Sequence, residues 1–181
     1  MSSTFSRSHG SAVASFDQAE AELLRHLLEQ LLALLDDGDQ AVEDDPLARA
    51  VGIGTSTAPP DDPALARLFP DGYRDDDAAS AEFRRYTEGG LREGKRADAR
   101  VALATLEHAG KTQPLDPPTA QSWLRTLTSL RLVLGTRLEV TEETEALWEV
   151  EADDEDDPRA ATMAVYAWLG WLQETLVRAL R

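Results

Sequence analysis

The stretch Asp157-Pro-Arg-Ala-Ala-Thr-Met-Ala-Val-Tyr-Ala-Trp-Leu-Gly-Trp-Leu-Gln-Glu-Thr-Leu-Val-Arg-Ala-Leu-Arg181 ends the sequence and reads as one amphipathic helix. Asp157 is a preferred N-cap residue and Pro158 suits a first helical turn. At helical periodicity Val165, Leu169, Leu172, Leu176 and Leu180 share a stripe, flanked by Tyr166 and Trp168. Burial of each large side chain is worth about 1.5–3 kcal/mol, so this helix can anchor a core. Met163, Ala167, Gly170 and Trp171 fall on the far side, near Glu174 and Arg178. Small residues let a second helix approach, and Trp is enriched in interface cores. Gly170 and Trp171 are therefore candidate interaction residues, for a homodimer or for another protein partner. The alternative is that another helix of the same chain covers this side.

Outward from this anchor, further helices are signposted. Asp17 and Glu20 form a capping box ahead of a helix whose leucines, Leu23 to Leu35, spread over half its circumference. Residues 62–69 read as a short capped helix stopped by Pro70. From Asp77 to about His108 the pattern is helical, with Gly89, Gly90 and Gly94 in its middle. Either the helix breaks there or the glycines let another backbone approach closely, and a continuous or kinked helix is the favoured reading. Residues 114–118 read as a connector before a helix carrying Trp123, Leu127, Leu130 and Leu134, which fades after Gly135. A short helix is expected from Thr141 through Trp148. Near the start, residues 3–16 fit a hairpin turning at His9-Gly10. Residues 36–61 are acidic and rich in Pro and Gly, the composition of a flexible loop, with a turn of helix at 46–51. The expected fold is mainly α. It is a single domain over residues 1–181, with four to five principal helices in bundle-like or orthogonal packing and a short N-terminal β-hairpin.

Composition narrows the function. The 181 residues are 42% hydrophobic and 29% charged, a globular balance long enough for one core. A net charge of −16 repels nucleic acid and anionic membranes unless a local basic face outweighs it, so direct DNA binding is expected to be weak or absent. No apolar run approaches the roughly 18 residues of a membrane span, and the first residues lack the apolar core of a secretory signal. A cytoplasmic location is the expectation. The sequence contains no cysteine, which excludes disulfides, thiolate metal sites, cysteine nucleophiles and thiol redox switching within it.

Catalytic and ligand motifs are missing. His9, His26 and His108 have no metal-ligand spacing. Gly52-Ile-Gly-Thr follows no strand and has no lysine, so it is not a phosphate loop. The clusters 75–77 and 153–157 lack the spacing of a calcium loop, and they precede helices, whose N-terminal dipole favours negative charge. No catalytic residue, metal or cofactor is expected. The one concentration of positive charge is a stripe of Arg85, Arg92, Arg96 and Arg100, with Arg84 and Lys95 beside it. Glu88 lies four residues before Arg92, the favourable order for a helical ion pair, which points to a solvated, salt-bridged face. The rival reading is a nucleic-acid site, although no aromatic platform interleaves the arginines.

Several blocks together resemble a known family. They are the segments 16–24, 62–73 (Asp-Pro-Ala-Leu-Ala-Arg-Leu-Phe-Pro-Asp-Gly-Tyr), 82–88, 134–138 (Leu-Gly-Thr-Arg-Leu), 157–159 and 168–174 (Trp-Leu-Gly-Trp-Leu-Gln-Glu). They resemble an actinobacterial domain-of-unknown-function family whose genes lie near that of the Clp protease adaptor ClpS. Some members are labelled AosR-type oxidative-stress transcription regulators. The resemblance implies a non-enzymatic regulatory protein that acts through protein contacts, for example with a sigma factor or RNA polymerase. Its gene neighbourhood implies the alternative of an accessory or adaptor factor for the Clp machinery. It implies no catalytic residues. An oxidant sensor of the usual kind needs a reactive thiol, which this chain lacks.

Overall fold

Four of the helices begin where an aspartate can cap them. The computed structural model describes residues 4–37, 58–141 and 159–181. Asp17 accepts the Glu20 backbone N–H at 2.9 Å while Glu20 accepts the Asp17 N–H at 3.1 Å, closing the capping box that opens α1 (Gln18–Asp37). Asp62 accepts from Ala64 and Leu65 ahead of α2 (Pro63–Leu68), where proline occupies the first turn. Asp76 caps α3 (Asp77–Leu106) and Asp116 caps α4 (Pro117–Arg137). The closing helix, α5 (Ala160–Ala179), has no side-chain cap at Arg159, whose guanidinium instead donates to the Leu138 carbonyl at 2.6 Å. The expected cap at Asp157 and Pro158 lies outside the described residues, as do residues 142–148 of the helix expected from Thr141, the turn at 46–51 and most of the 36–61 loop.

The N-terminal hairpin forms as expected from β1 (Thr4–Ser8) and β2 (Ser11–Ser15). His9 and Gly10 both have positive φ, 49° and 86°, the signature of a two-residue turn whose twist suits antiparallel strands. A third strand, β3 (Gln113–Leu115), pairs antiparallel with β2, where a connector had been expected. Three residues containing a proline carry almost no strand signal. Pro114 is tolerated because β3 is an edge strand and needs no N–H on its outer side.

The chain is mainly helical, and α4 is the helix on which the others pack: it touches α1, α2, α3 and α5. The closing helix α5 lies against α4 and the hairpin, burying Leu169, Leu172 and Leu176. Sheet and helices meet at an aromatic cluster. The Phe5 ring stands edge-on to Phe16 and to Trp123, both at 5.3 Å between centroids. Trp123 is fully buried, and its indole N–H donates to Thr105 Oγ1 at 3.0 Å, so its one polar atom is satisfied.

The α3 helix runs unbroken for 30 residues through Gly89, Gly90 and Gly94. Each glycine costs about 1 kcal/mol against alanine in a helix interior. At Gly90 and Gly94 a Cβ would meet nothing within 4 Å among the described residues, so packing between those residues does not require them.

Removing Trp123 takes away the shared wall of sheet, α3 and α4. Trp123→Ala is expected to lower unfolding stability by about 3–5 kcal/mol, read from urea denaturation followed by circular dichroism.

Candidate interaction surfaces

The arginine stripe divides between the two sides of α3. Arg92 and Arg96 point inward, with 2% and 7% of their surface exposed, and Arg84 joins them at 5%. Arg85 and Arg100 are exposed. The inward arginines donate to backbone carbonyls. At the C-terminus of α1 the Leu35 carbonyl accepts from Arg92 Nη1 at 2.7 Å and from Arg96 Nη2 at 2.9 Å. Arg96 Nε also donates to Asp36 at 2.8 Å. A helix leaves its last carbonyls unpaired and its C-terminus partly negative, so two guanidinium groups there meet both needs.

One turn before Arg92, Glu88 accepts from Arg92 at 2.6 Å and from Arg84 at 2.9 Å. Arg84 also donates to the Phe69 carbonyl at 3.1 Å and to Asp71 at 2.7 Å. Burial works against its charge, yet Glu88 and Asp71 hold its pKa above the ordinary arginine value. The Arg92 guanidinium lies 4.6 Å from the centre of the Phe69 ring, and Lys95 approaches the same ring at 6.0 Å. Burial holds the Lys95 pKa below its ordinary value, against a weaker opposing pull from Asp98. These cations bind α1 and the segment after α2 to α3. The inward stripe that contains Ala99, Ala102 and Leu106 reaches Arg92, Glu88 and Arg84 when continued toward the N-terminus. The sequence shows that continuity only once the core-facing arc of α3 is known.

What α3 shows to solvent mixes charged side chains with large apolar ones. Phe83, Tyr86, Leu91 and Val101 are all exposed. Tyr73 stands edge-on to Phe83 at 6.2 Å, and Arg85 lies 5.9 Å from the Tyr86 ring. Aromatic side chains therefore do accompany the arginines, Tyr86 beside Arg85 and Phe69 beside the buried Arg92.

On α5 the two candidate residues separate. Gly170 backs onto α4, where a Cβ would stand 3.5 Å from the Arg131 guanidinium. Arg131 lies 5.1 Å from the centre of the Tyr166 ring and donates to Gln173 at 3.0 Å. Trp171, one position on, remains 39% exposed.

Among the described residues no cluster of three metal-ligating side chains occurs, and no helix is long and apolar enough to cross a membrane. An open apolar groove of about 340 Å³ lies between α1 and α4, lined by Leu27, Leu31, Leu34, Leu130 and Leu134 with Arg137 at its edge.

A mainly α, strongly acidic chain with a small antiparallel sheet and inward-turned arginines is the class of protein these features define. It belongs to the family described as Domain of unknown function (DUF2017), whose model matches residues 2–180. Relatives from Mycobacterium bovis and Mycobacterium tuberculosis, each named "Oxidative stress regulator AosR", are 35% identical over 175 residues, covering 89% of this chain and 78% of theirs. No solved structure matches.

Two outcomes follow from the ion pairs. Glu88→Ala leaves two buried guanidinium groups short of an acceptor and is expected to cost about 3–5 kcal/mol in urea unfolding. Asp98 is pushed up by burial, but hydrogen bonds from Arg125 and Ser122 and the Arg125 charge hold it below the usual carboxylate range. A lowered carboxylate contributes its full stability above its unfolded value near pH 3.8 and loses it as pH falls through the folded value. Asp98→Asn is expected to flatten the acid limb of stability measured from pH 5 down to about 2.

Proposed function

We propose that this protein is a non-enzymatic regulator of stress-responsive transcription that works through contacts with other proteins, Trp171 lying at the centre of one contact face. The observation that carries this reading is the 35% identity to relatives named for oxidative stress regulation. Charge supports protein contacts over DNA contacts. The chain carries a net −16, and three of the arginines on its longest helix are engaged within its own interior. Trp171 supports them as well, because a large exposed aromatic is the side chain most enriched at binding hot spots. The partner class is a sigma factor or an RNA polymerase subunit. With no thiol in its sequence, this chain relays a stress state that its partner senses.

The test is a pull-down from the native host with the wild-type chain and with Trp171→Ala. Sigma factor or polymerase subunits are expected with the wild type and lost with the variant. Recovery of Clp subunits instead would move the assignment to proteolysis. Gel-shift assays at physiological salt are expected to show weak, sequence-indifferent binding to duplex DNA. Nanomolar selective binding by the chain alone would overturn the protein-contact reading. Peroxide is expected to leave the band pattern on a non-reducing gel unchanged.

A further inference from the structure

We infer that the outward face of α3 is a homodimer interface, on which two copies pack antiparallel about a two-fold axis near its middle. This pairing stands independently of the transcriptional reading. The face runs from Phe83 through Thr87, Gly90, Gly94 and Ala97 to Val101, then Ala104. These positions alternate by four and three residues, the spacing that keeps one seam facing a partner helix. No charged residue interrupts the seam, in a chain that is 29% charged. Phe83 and Val101 are 43% and 37% exposed, and a Cβ at Gly90 or Gly94 would stand in open space. Glycine is a poor helix former, and at these two positions nothing among the described residues rewards it. A closely approaching backbone from outside does. Over 30 residues the helix is about 45 Å long, enough for several layers of such contacts.

The flanking charges select the occupant and the direction. Seven residues separate Glu93 from Arg100, and both border the seam on the same side. Within one copy they pair at 3.2 Å, each about 60% exposed, so this contact contributes little and exchanges readily, while Glu93 also stands 3.5 Å from the largely buried Arg96. With the helices antiparallel, one register seats Val101 over the partner's Gly90 and Gly94 beside the partner's Ala97. The same register sets Glu93 beside the partner's Arg100, Arg100 beside the partner's Glu93, and Tyr86 beside the partner's Glu107. Large meets small and acid meets base, each contact occurring twice. A parallel pair would instead stack glycine on glycine and bring Glu93 toward the partner's Asp98. A self-complementary pattern of this kind is what an isologous interface requires. The two charges cancel locally, so the net −16 of each copy is not concentrated at the contact.

Sedimentation velocity on the full chain is expected to give a dimer at tens of micromolar. Gly94→Gln projects into solvent in the monomer, so the unfolding midpoint should hold or rise while the dimer dissociation constant increases at least tenfold. Arg100→Glu should weaken the dimer similarly, and Glu93→Arg with Arg100→Glu should restore it. In this cysteine-free chain, a mixture of Gly90→Cys and Val101→Cys copies should cross-link under mild oxidation, whereas neither variant alone should. A wild type that stays monomeric at hundreds of micromolar overturns the proposal. So does a dimer indifferent to Gly94→Gln, or cross-linking by Gly90→Cys alone.

Discussion

At the end of α1 the Leu35 carbonyl accepts two hydrogen bonds from guanidinium groups that are themselves almost fully buried. The arrangement of α1, α3 and the segment after α2 depends on that contact. Arg92 joins it to Glu88 and to the face of Phe69, and Glu88 joins it to Arg84, which grips the Phe69 carbonyl and Asp71. Buried ion pairs add little net stability over apolar packing, but they tolerate few alternative geometries, because a misplaced partner leaves a charge without compensation. The network therefore sets the register of α3 against α1 more than it deepens the well.

One consequence is a helix whose polarity is partly inverted. In an ordinary surface helix the apolar stripe faces the core and the charges face water. In α3, charged side chains fill much of the N-terminal half of the inward face, while Phe83, Tyr86, Leu91 and Val101 face outward. The aromatic and leucine-rich core is supplied mainly by α1, α4, α5 and the hairpin, with Trp123 at its centre. That division leaves α3 free to present large apolar side chains on its outer surface, and it removes positive charge from the outside of a chain already strongly acidic.

The family relationship adds a constraint of its own. The relatives are named for oxidative stress regulation, yet this chain has no cysteine, so it cannot carry a thiol switch of its own within these residues. The proposed protein contacts would draw on the exposed aromatics of α3 and α5, the residue types enriched at binding hot spots.

Much of the fold was legible residue by residue. The capping box at Asp17, the caps at Asp62 and Asp76, the turn at His9-Gly10 and the leucine faces of α1 and α5 could each be read from a window of a few residues. Those features are interactions between near neighbours, and a short sequence contains both partners. The strand at 113–115 was not legible, since three residues become a strand only when β2 offers its edge. Nor was the inward turn of Arg92 and Arg96, because the carbonyl they satisfy lies 57 residues away from Arg92 along the chain. Periodicity placed the arginines on one arc but could not say which arc faces the core. It likewise set Gly170 beside Trp171, and only Arg131, reaching across from α4, turned the glycine inward and left the tryptophan in water. The sequence by itself determined where helices and turns begin. Which side of each helix faces the core was decided by tertiary contacts, because buried hydrogen-bond acceptors and charges must find partners wherever the chain has carried them.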